Sequence, residues 1–262
     1  YFYLCRYLAQ NPENKVVFLA KSNSIKSELP GVNLALYQRP REVNKEIHHY
    51  LYPAEEAILE GQQTIKALDS LKKKGFIPDI VIGHTGWGSL MYIKDYYPNV
   101  PVIGYFEWFY HSSNSDSYYW PGEEAPIDTK LSIRTKNMHH LLSLDACDVG
   151  ITPTNWQKQQ FPDVYKPMLH VIHEGTDTQY CCPFEGAELP ALELSTGFKL
   201  PKGTKYISYV SRGFEPIRGF DKFMDAIRIV LKDFPDLHVV LAGDDRVCYG
   251  GKLPEGTTYK GI

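Results

Sequence analysis

Five short, nearly unbroken apolar runs constrain this chain more than any other feature. They fall at residues 16–20, 80–83, 102–106, 149–151 and 169–172, with amphipathic stretches between them. A strand with one wet face alternates apolar and polar residues, whereas a strand apolar at successive positions is covered on both faces. That pattern indicates a parallel sheet flanked by helices. The spacing predicts a helix over 53–74, which opens on Pro53, carries Glu55 and Glu56 early and Lys72, Lys73 and Lys74 late, and stops at Gly75. A second helix is predicted over 129–147, where Met138, Leu141, Leu142 and Asp145 recur at helical steps. A third starts at the cap Thr154-Asn155 and runs to Phe161, ahead of Pro162. This β-α alternation is that of a doubly wound α/β domain.

Residues 183–204 have no clear period and read as a linker. A second α/β unit then opens with an apolar strand at 206–210, a helix at 220–234 and another strand at 238–243. The expected organisation is therefore a first Rossmann-like domain over 1–182, the linker, and the beginning of a second domain over 205–262. Tyr1 to Gln10 has helical apolar spacing, so the first strand of such a domain is expected ahead of Tyr1. The rest of the second domain is expected beyond Ile262.

Composition removes several function classes. The chain is 43% hydrophobic and 23% charged, as expected of a globular fold rather than a disordered one. Its formal net charge is -3 and no Lys/Arg stripe is present, which argues against a nucleic-acid partner. Five cysteines form no C-x-x-C pair, so neither a zinc ribbon nor a redox motif is expected, and a reduced, cytoplasmic setting fits. No apolar run of the roughly 18 residues needed for a membrane span occurs.

The sharpest local signal is Ser211-Arg212-Gly213-Phe214-Glu215-Pro216-Ile217-Arg218-Gly219-Phe220, between an apolar strand and an amphipathic helix. Ligands of open α/β sheets sit beyond the carboxyl ends of the strands, where helix N-termini point. Arg212 and Arg218 can converge there on one diphosphate through planar, permanently charged forks. From spacing alone, a pair of exposed loop arginines explains them equally well.

This stretch resembles the basic loop that opens the donor domain of family 4 glycosyltransferases, which have the GT-B fold of two Rossmann-like domains. The resemblance extends along the chain in collinear order. Val171-Ile172-His173-Glu174-Gly175-Thr176-Asp177 is similar to the family's turn between domains, with His173 and Glu174 in place of the common Pro-Asn. His84-Thr85-Gly86-Trp87-Gly88 and Tyr105-Phe106-Glu107 resemble the His-x-Gly-Trp-Gly turn and Tyr-Phe-Glu strand end of a bacterial branch. Gly150-Ile151-Thr152-Pro153-Thr154-Asn155 and Ala242-Gly243-Asp244-Asp245-Arg246 fit that branch as well. The resemblance implies a retaining transfer of a sugar, of hexosyltransferase type, from a nucleotide-sugar donor to a saccharide or lipid-linked acceptor in polysaccharide biosynthesis. It assigns the donor diphosphate to Arg212, Arg218 and the Gly213 backbone. No metal or other cofactor is expected: the chain has no Asp-x-Asp, and arginine clamps can stabilise the leaving diphosphate instead. The 262-residue chain on its own is expected to bind donor poorly and turn over little, because the family's acidic motif and base contacts would follow Ile262.

His84 and Glu107 are the candidate catalytic residues. His84 ends an apolar strand, where it can bond a sugar hydroxyl or simply cap the turn. Glu107 stands where many family members carry His, and a carboxylate there can orient an acceptor hydroxyl, act as base or balance a positive centre. Gly86, Trp87, Trp108 and Tyr110 are candidate acceptor contacts, since saccharide sites use aromatic faces. Tyr118-Tyr119-Trp120 extends the aromatic run, and residues 112–117 read as a lid loop. His139-His140 reads as an ordinary surface or half-buried pair. Three alternatives stay open: a non-catalytic saccharide-binding relative, a sugar-nucleotide epimerase or phosphorylase of the same fold, and a flavodoxin-like sensor. Donor, acceptor and oligomeric state are not legible, and contact with the inner face of a membrane is compatible with the family.

Overall fold

A computed structural model describes residues 1–21, 29–116, 118, 122–183, 186, 191–250 and 253–261. Among these the chain forms two compact units, Tyr1–Gly175 and Thr176–Ile262. The expected β-α alternation is present in both, as a mixed α/β structure with parallel sheets of the Rossmann-like kind.

The first unit runs α1 (Phe2–Leu8), β1 (Val16–Lys21), β2 (Val32–Tyr37), α2 (Tyr52–Lys73), β3 (Val81–His84), α3 (Ile93–Tyr96), β4 (Val102–Tyr105), α4 (Ile127–Lys136), α5 (Met138–Ala146), β5 (Val149–Thr152), α6 (Asn155–Gln160) and β6 (Leu169–Val171). Strands β3, β4, β5 and β6 pair in that order, all parallel, while β1 and β2 form a separate parallel pair. Strand β2 is absent from the sequence reading. Its run Val-Asn-Leu-Ala-Leu-Tyr is interrupted by Asn33, and Leu34 and Leu36 are exposed, so it lacks the two-sided apolar signature.

The single helix expected over 129–147 is two helices. Asn137 breaks it: its Oδ1 accepts from the Tyr110 amide at 2.9 Å and its Nδ2 donates to the Tyr110 carbonyl at 2.8 Å. A side chain that satisfies both backbone groups of Tyr110 is held in place, and Asn137 is both the C-cap of α4 and the N-cap of α5.

A row of glycines makes room for the core. Gly83, Gly104 and Gly150 are in register across β3, β4 and β5. A Cβ at Gly83 would meet Leu90 at 2.8 Å, and one at Gly104 or Gly150 would meet the Phe106 ring at 2.5 or 2.9 Å. Phe106 therefore lies flat against the sheet, fully buried, with Phe161 edge-on at 5.8 Å. Around it close Leu90, Ile93, Val102, Leu144 and Leu169. This packing fixes the end of β4, because Phe106 also donates its amide to Ile151 at 2.7 Å. The next residue, Glu107, is thereby set at the sheet's carboxyl edge.

The second unit holds a short antiparallel pair, β7 (Leu192–Glu193) with β8 (Lys199–Leu200), inside the stretch read as a linker. It then has β9 (Tyr206–Val210), α7 (Phe220–Asp233) and β10 (His238–Ala242), with β9 and β10 parallel. Phe214 and Phe220 stack at 5.0 Å and pack on Tyr209, which seats the β9–α7 loop over the strands.

Candidate functional site

In the first unit the carboxyl ends of β3 and β4 bring His84 and Glu107 together. Strand register places His84 beside Tyr105. The Gly86 amide donates to His84 Nδ1 at 2.9 Å, so in the neutral ring Nε2 carries the proton and donates to Glu107 Oε2 at 3.1 Å. The tautomer is thus set by the Thr85–Trp87 turn. That turn is itself docked on α2, because a Cβ at Gly88 would lie 2.5 Å from the Ala57 carbonyl oxygen. Gly88 has φ +81°, a conformation glycine reaches without strain. The Trp87 ring stacks obliquely on His84 at 4.4 Å and is exposed.

Two further groups belong to this edge. Gln157, on α6, donates through Nε2 to the Glu107 carbonyl at 3.0 Å. The Tyr105 hydroxyl donates to Glu174 Oε1 at 2.7 Å, and burial together with Glu174 pushes that phenol well above its ordinary range. The side chain of His84 is 18% exposed and that of Glu107 58%, so the carboxylate is the wet member of the pair. The arrangement can align a hydroxyl and hold a proton at Glu107, with His84 orienting it.

The other aromatic candidates are dispersed. Trp108 lies beside Trp156 at 5.1 Å, and its indole Nε1 is buried with no hydrogen-bond partner. Tyr110 receives Lys136 Nζ over its ring at 3.6 Å and lies 5.7 Å from His140. Tyr119 and Trp120 lie outside the described residues, as does Ser117 of the expected lid loop.

The histidine pair corrects the sequence reading: His139 and His140 are 5% and 3% exposed. The α5 face that bears them packs on the Thr85–Trp87 turn, and His139 Nε2 bonds the Gly86 carbonyl at 3.1 Å. His140 has no partner on either nitrogen, and desolvation, followed by the charges of His139, His84 and Lys136, lowers its pKa to about 3. The native ring stays neutral while an unfolded chain takes up a proton below about 6.5. Stability is therefore complete above that pH and falls as the pH drops toward 3, by up to about 1.4 kcal/mol per pH unit for this one proton. Urea unfolding of His140→Phe is expected to show a shallower loss of stability between pH 6.5 and 4.5; a slope equal to wild type would contradict the assignment.

A buried acid escaped the sequence reading. Glu60, 2% exposed, lies on the α2 face shared by Ala57, Gly61 and Thr64. Lys21 Nζ, at the carboxyl end of β1, pairs with Glu60 at 3.0 Å, and the Tyr37 hydroxyl at the end of β2 donates to it. A carboxylate in a run of small buried residues was the available signal. A shallow depression of about 660 Å³ lined by Gln62, Ile65, Lys66, Tyr92, Asp95 and Tyr96 shares no residue with the His84 group.

In the second unit the loops after β9 and β10 carry the other predicted residues. Arg212 and Arg218 are both exposed, and both guanidinium carbons lie over the ring of Tyr249, at 4.8 and 4.9 Å. Arg212 also donates to the Tyr249 hydroxyl. Gly213 is buried between the loops: a Cβ there would meet Cys248 Sγ at 2.7 Å and the Arg246 carbonyl oxygen at 2.8 Å. Tyr249 and its support were not anticipated from sequence.

Two cationic side chains thus gather at the carboxyl edge of a parallel pair, and an acid-histidine pair at the carboxyl edge of another sheet. Residues 12–181 match the model of the glycosyl transferase family 4 group, and the chain belongs to that family. No curated protein matches the chain. Among solved structures it is similar to a UDP-N-acetylglucosamine 2-epimerase at 15% identity and a TM-score of 0.35, with 79% of this chain and 53% of the epimerase chain covered. The chain thus spans about half the length of that structure. No helix among the described residues is long and apolar enough to cross a membrane.

Proposed function

We propose that the protein transfers a hexose from a nucleotide-sugar donor to a saccharide or lipid-linked acceptor, with retention of configuration and without a metal ion, on the cytoplasmic side. The observation that carries this is the convergence of Arg212 and Arg218 on one point beside Tyr249, where two fixed positive charges match a diphosphate. Their task is to hold the donor and to stabilise the charge that builds on the leaving diphosphate. The Gly213 backbone belongs to the same loop. His84 and Glu107 then serve the acceptor side. Glu107 accepts or orients the acceptor hydroxyl, His84 keeps the carboxylate in place through Nε2, and the exposed Trp87 face, with Gly86, offers an apolar platform to a sugar ring.

A screen of nucleotide sugars with saccharide and lipid-linked acceptors, run on the full-length protein, tests the reading. Glu107→Gln keeps the shape and removes the charge, and kcat is expected to fall about 10²- to 10⁴-fold with donor KM little changed. Equal rates in Glu107→Gln would remove that residue from the chemistry. Conversion of the donor sugar with no acceptor present would favour an epimerase instead.

A further inference from the structure

The carboxylate of Glu215 does something unusual for a side chain next to two arginines. It is completely buried, and none of its hydrogen bonds is to Arg212 or Arg218. Its Oε2 accepts from the amides of Cys248, Tyr249 and Gly250 at 3.1, 3.0 and 2.8 Å, and Oε1 from Tyr249 at 3.3 Å. Three successive amides pointing inward form a nest, a backbone concavity built for an anion. Here the chain's own acid fills it, from 33 to 35 positions away. The fit is close, because a Cβ at Gly250 would approach Glu215 Oε2 to 3.2 Å.

The rest of the junction is stitched as tightly. Phe214 donates its amide to the Asp244 carbonyl at 3.1 Å, Ser211 to Ala242 at 3.0 Å, and Gly243 has room only for hydrogen against the Ser211 carbonyl, 1.7 Å from where a Cβ would stand. What this junction presents outward is the ring of Tyr249, on which both guanidiniums rest.

We propose that Glu215 is a positioning residue that acts through Tyr249: by filling the amide nest of residues 248–250 it holds that ring beneath Arg212 and Arg218 and so presets their spacing for a diphosphate. The inference rests on the reading of the arginine pair as the donor clamp. Its physical basis is pre-organisation. A long exposed arginine loses rotamer freedom when it grips a ligand, and a fixed aromatic face beneath it removes part of that loss beforehand. Tyr249 meets both guanidiniums with its ring face and Arg212 also with its hydroxyl, a neutral partner that leaves their positive charge uncompensated.

The test is a double-mutant cycle on the full-length protein, with UDP, GDP and inorganic pyrophosphate as probes in isothermal titration. Hydrogen exchange of amides 248–250 is followed in each variant. Glu215→Ala and Tyr249→Ala are each expected to weaken binding of the best probe about tenfold. The double variant should weaken it by about the same factor, not a hundredfold, because one residue works through the other. Protection of amides 248–250 should fall in Glu215→Ala while that of β9 and α7 persists. Glu215→Gln, which keeps an acceptor oxygen, should retain part of both and guards against a variant that fails to fold. Additive losses, unchanged protection in Glu215→Ala, or unchanged affinity with the loop released would each overturn the role given to Glu215. A wild-type protein that binds none of the probes would refute the donor clamp itself, a separable outcome.

Discussion

Phe106→Ala is expected to cost the first unit about 3–5 kcal/mol of stability, the range for deleting a buried aromatic ring. The cost is set in part by the rigid side of the ring's seat, which is sheet backbone. Its seat is formed by Gly104 and Gly150, whose backbone is pinned by parallel pairing on both sides, and its far edge by Phe161. A hole opened there has sheet backbone on one face, where no side chain can swing in. The same change also loosens the exit of β4, so Glu107 would lose its fixed position relative to His84. Chemical denaturation of Phe106→Ala against Phe106→Leu measures this. A loss under about 1 kcal/mol for the alanine variant would show that the ring does not anchor the strand end.

Arg212→Ala is expected to weaken donor binding about ten- to hundredfold, the equivalent of one charge-assisted contact of about 1.5–3 kcal/mol. Arg218→Ala should do nearly as much, since its guanidinium lies at almost the same distance from Tyr249. Arg212→Lys is a sharper control. Lysine keeps the charge but loses the planar fork and the face-on contact with the tyrosine, so partial recovery is expected, not wild-type affinity. Titration of nucleotide sugar into the three variants reads this directly. Equal affinity in Arg212→Ala and wild type would mean that the arginines are only surface charges.

The parts of this molecule that sequence discloses are those with a local, periodic cause. The apolar runs at 80–83, 102–106, 149–151 and 206–210 carry the strands Val81–His84, Val102–Tyr105, Val149–Thr152 and Tyr206–Val210, and α2 and α7 carry their end signals in Pro53 and Gly75 or in the amphipathic run itself. His84 and Glu107 could be singled out as strand ends, though that they touch depends on strand register, which spacing does not contain. What remained hidden depends on distant partners. Asn137 sits in a helical period, and only Tyr110, 27 positions back, makes it a break. His139 and His140 read as a surface or half-buried pair, and it is the distant turn at Gly86 that packs on the face bearing them. Glu215 reads as a third charge in a basic loop, and nothing near it in sequence indicates that its partners are the amides of 248–250. Strand β2 was missed for the opposite reason: it is a real strand with exposed leucines, so burial never wrote its signature.

One measurement bears most directly on the claim that paired guanidiniums do the work of a metal ion here. It is a crystal structure of the full-length protein with a nucleotide sugar bound in metal-free buffer. The account predicts Arg212 and Arg218 in forked contact with the diphosphate oxygens, with Tyr249 still packed against them. Density for a donor whose phosphates lie elsewhere, or that appears only once a divalent cation is added, would contradict it.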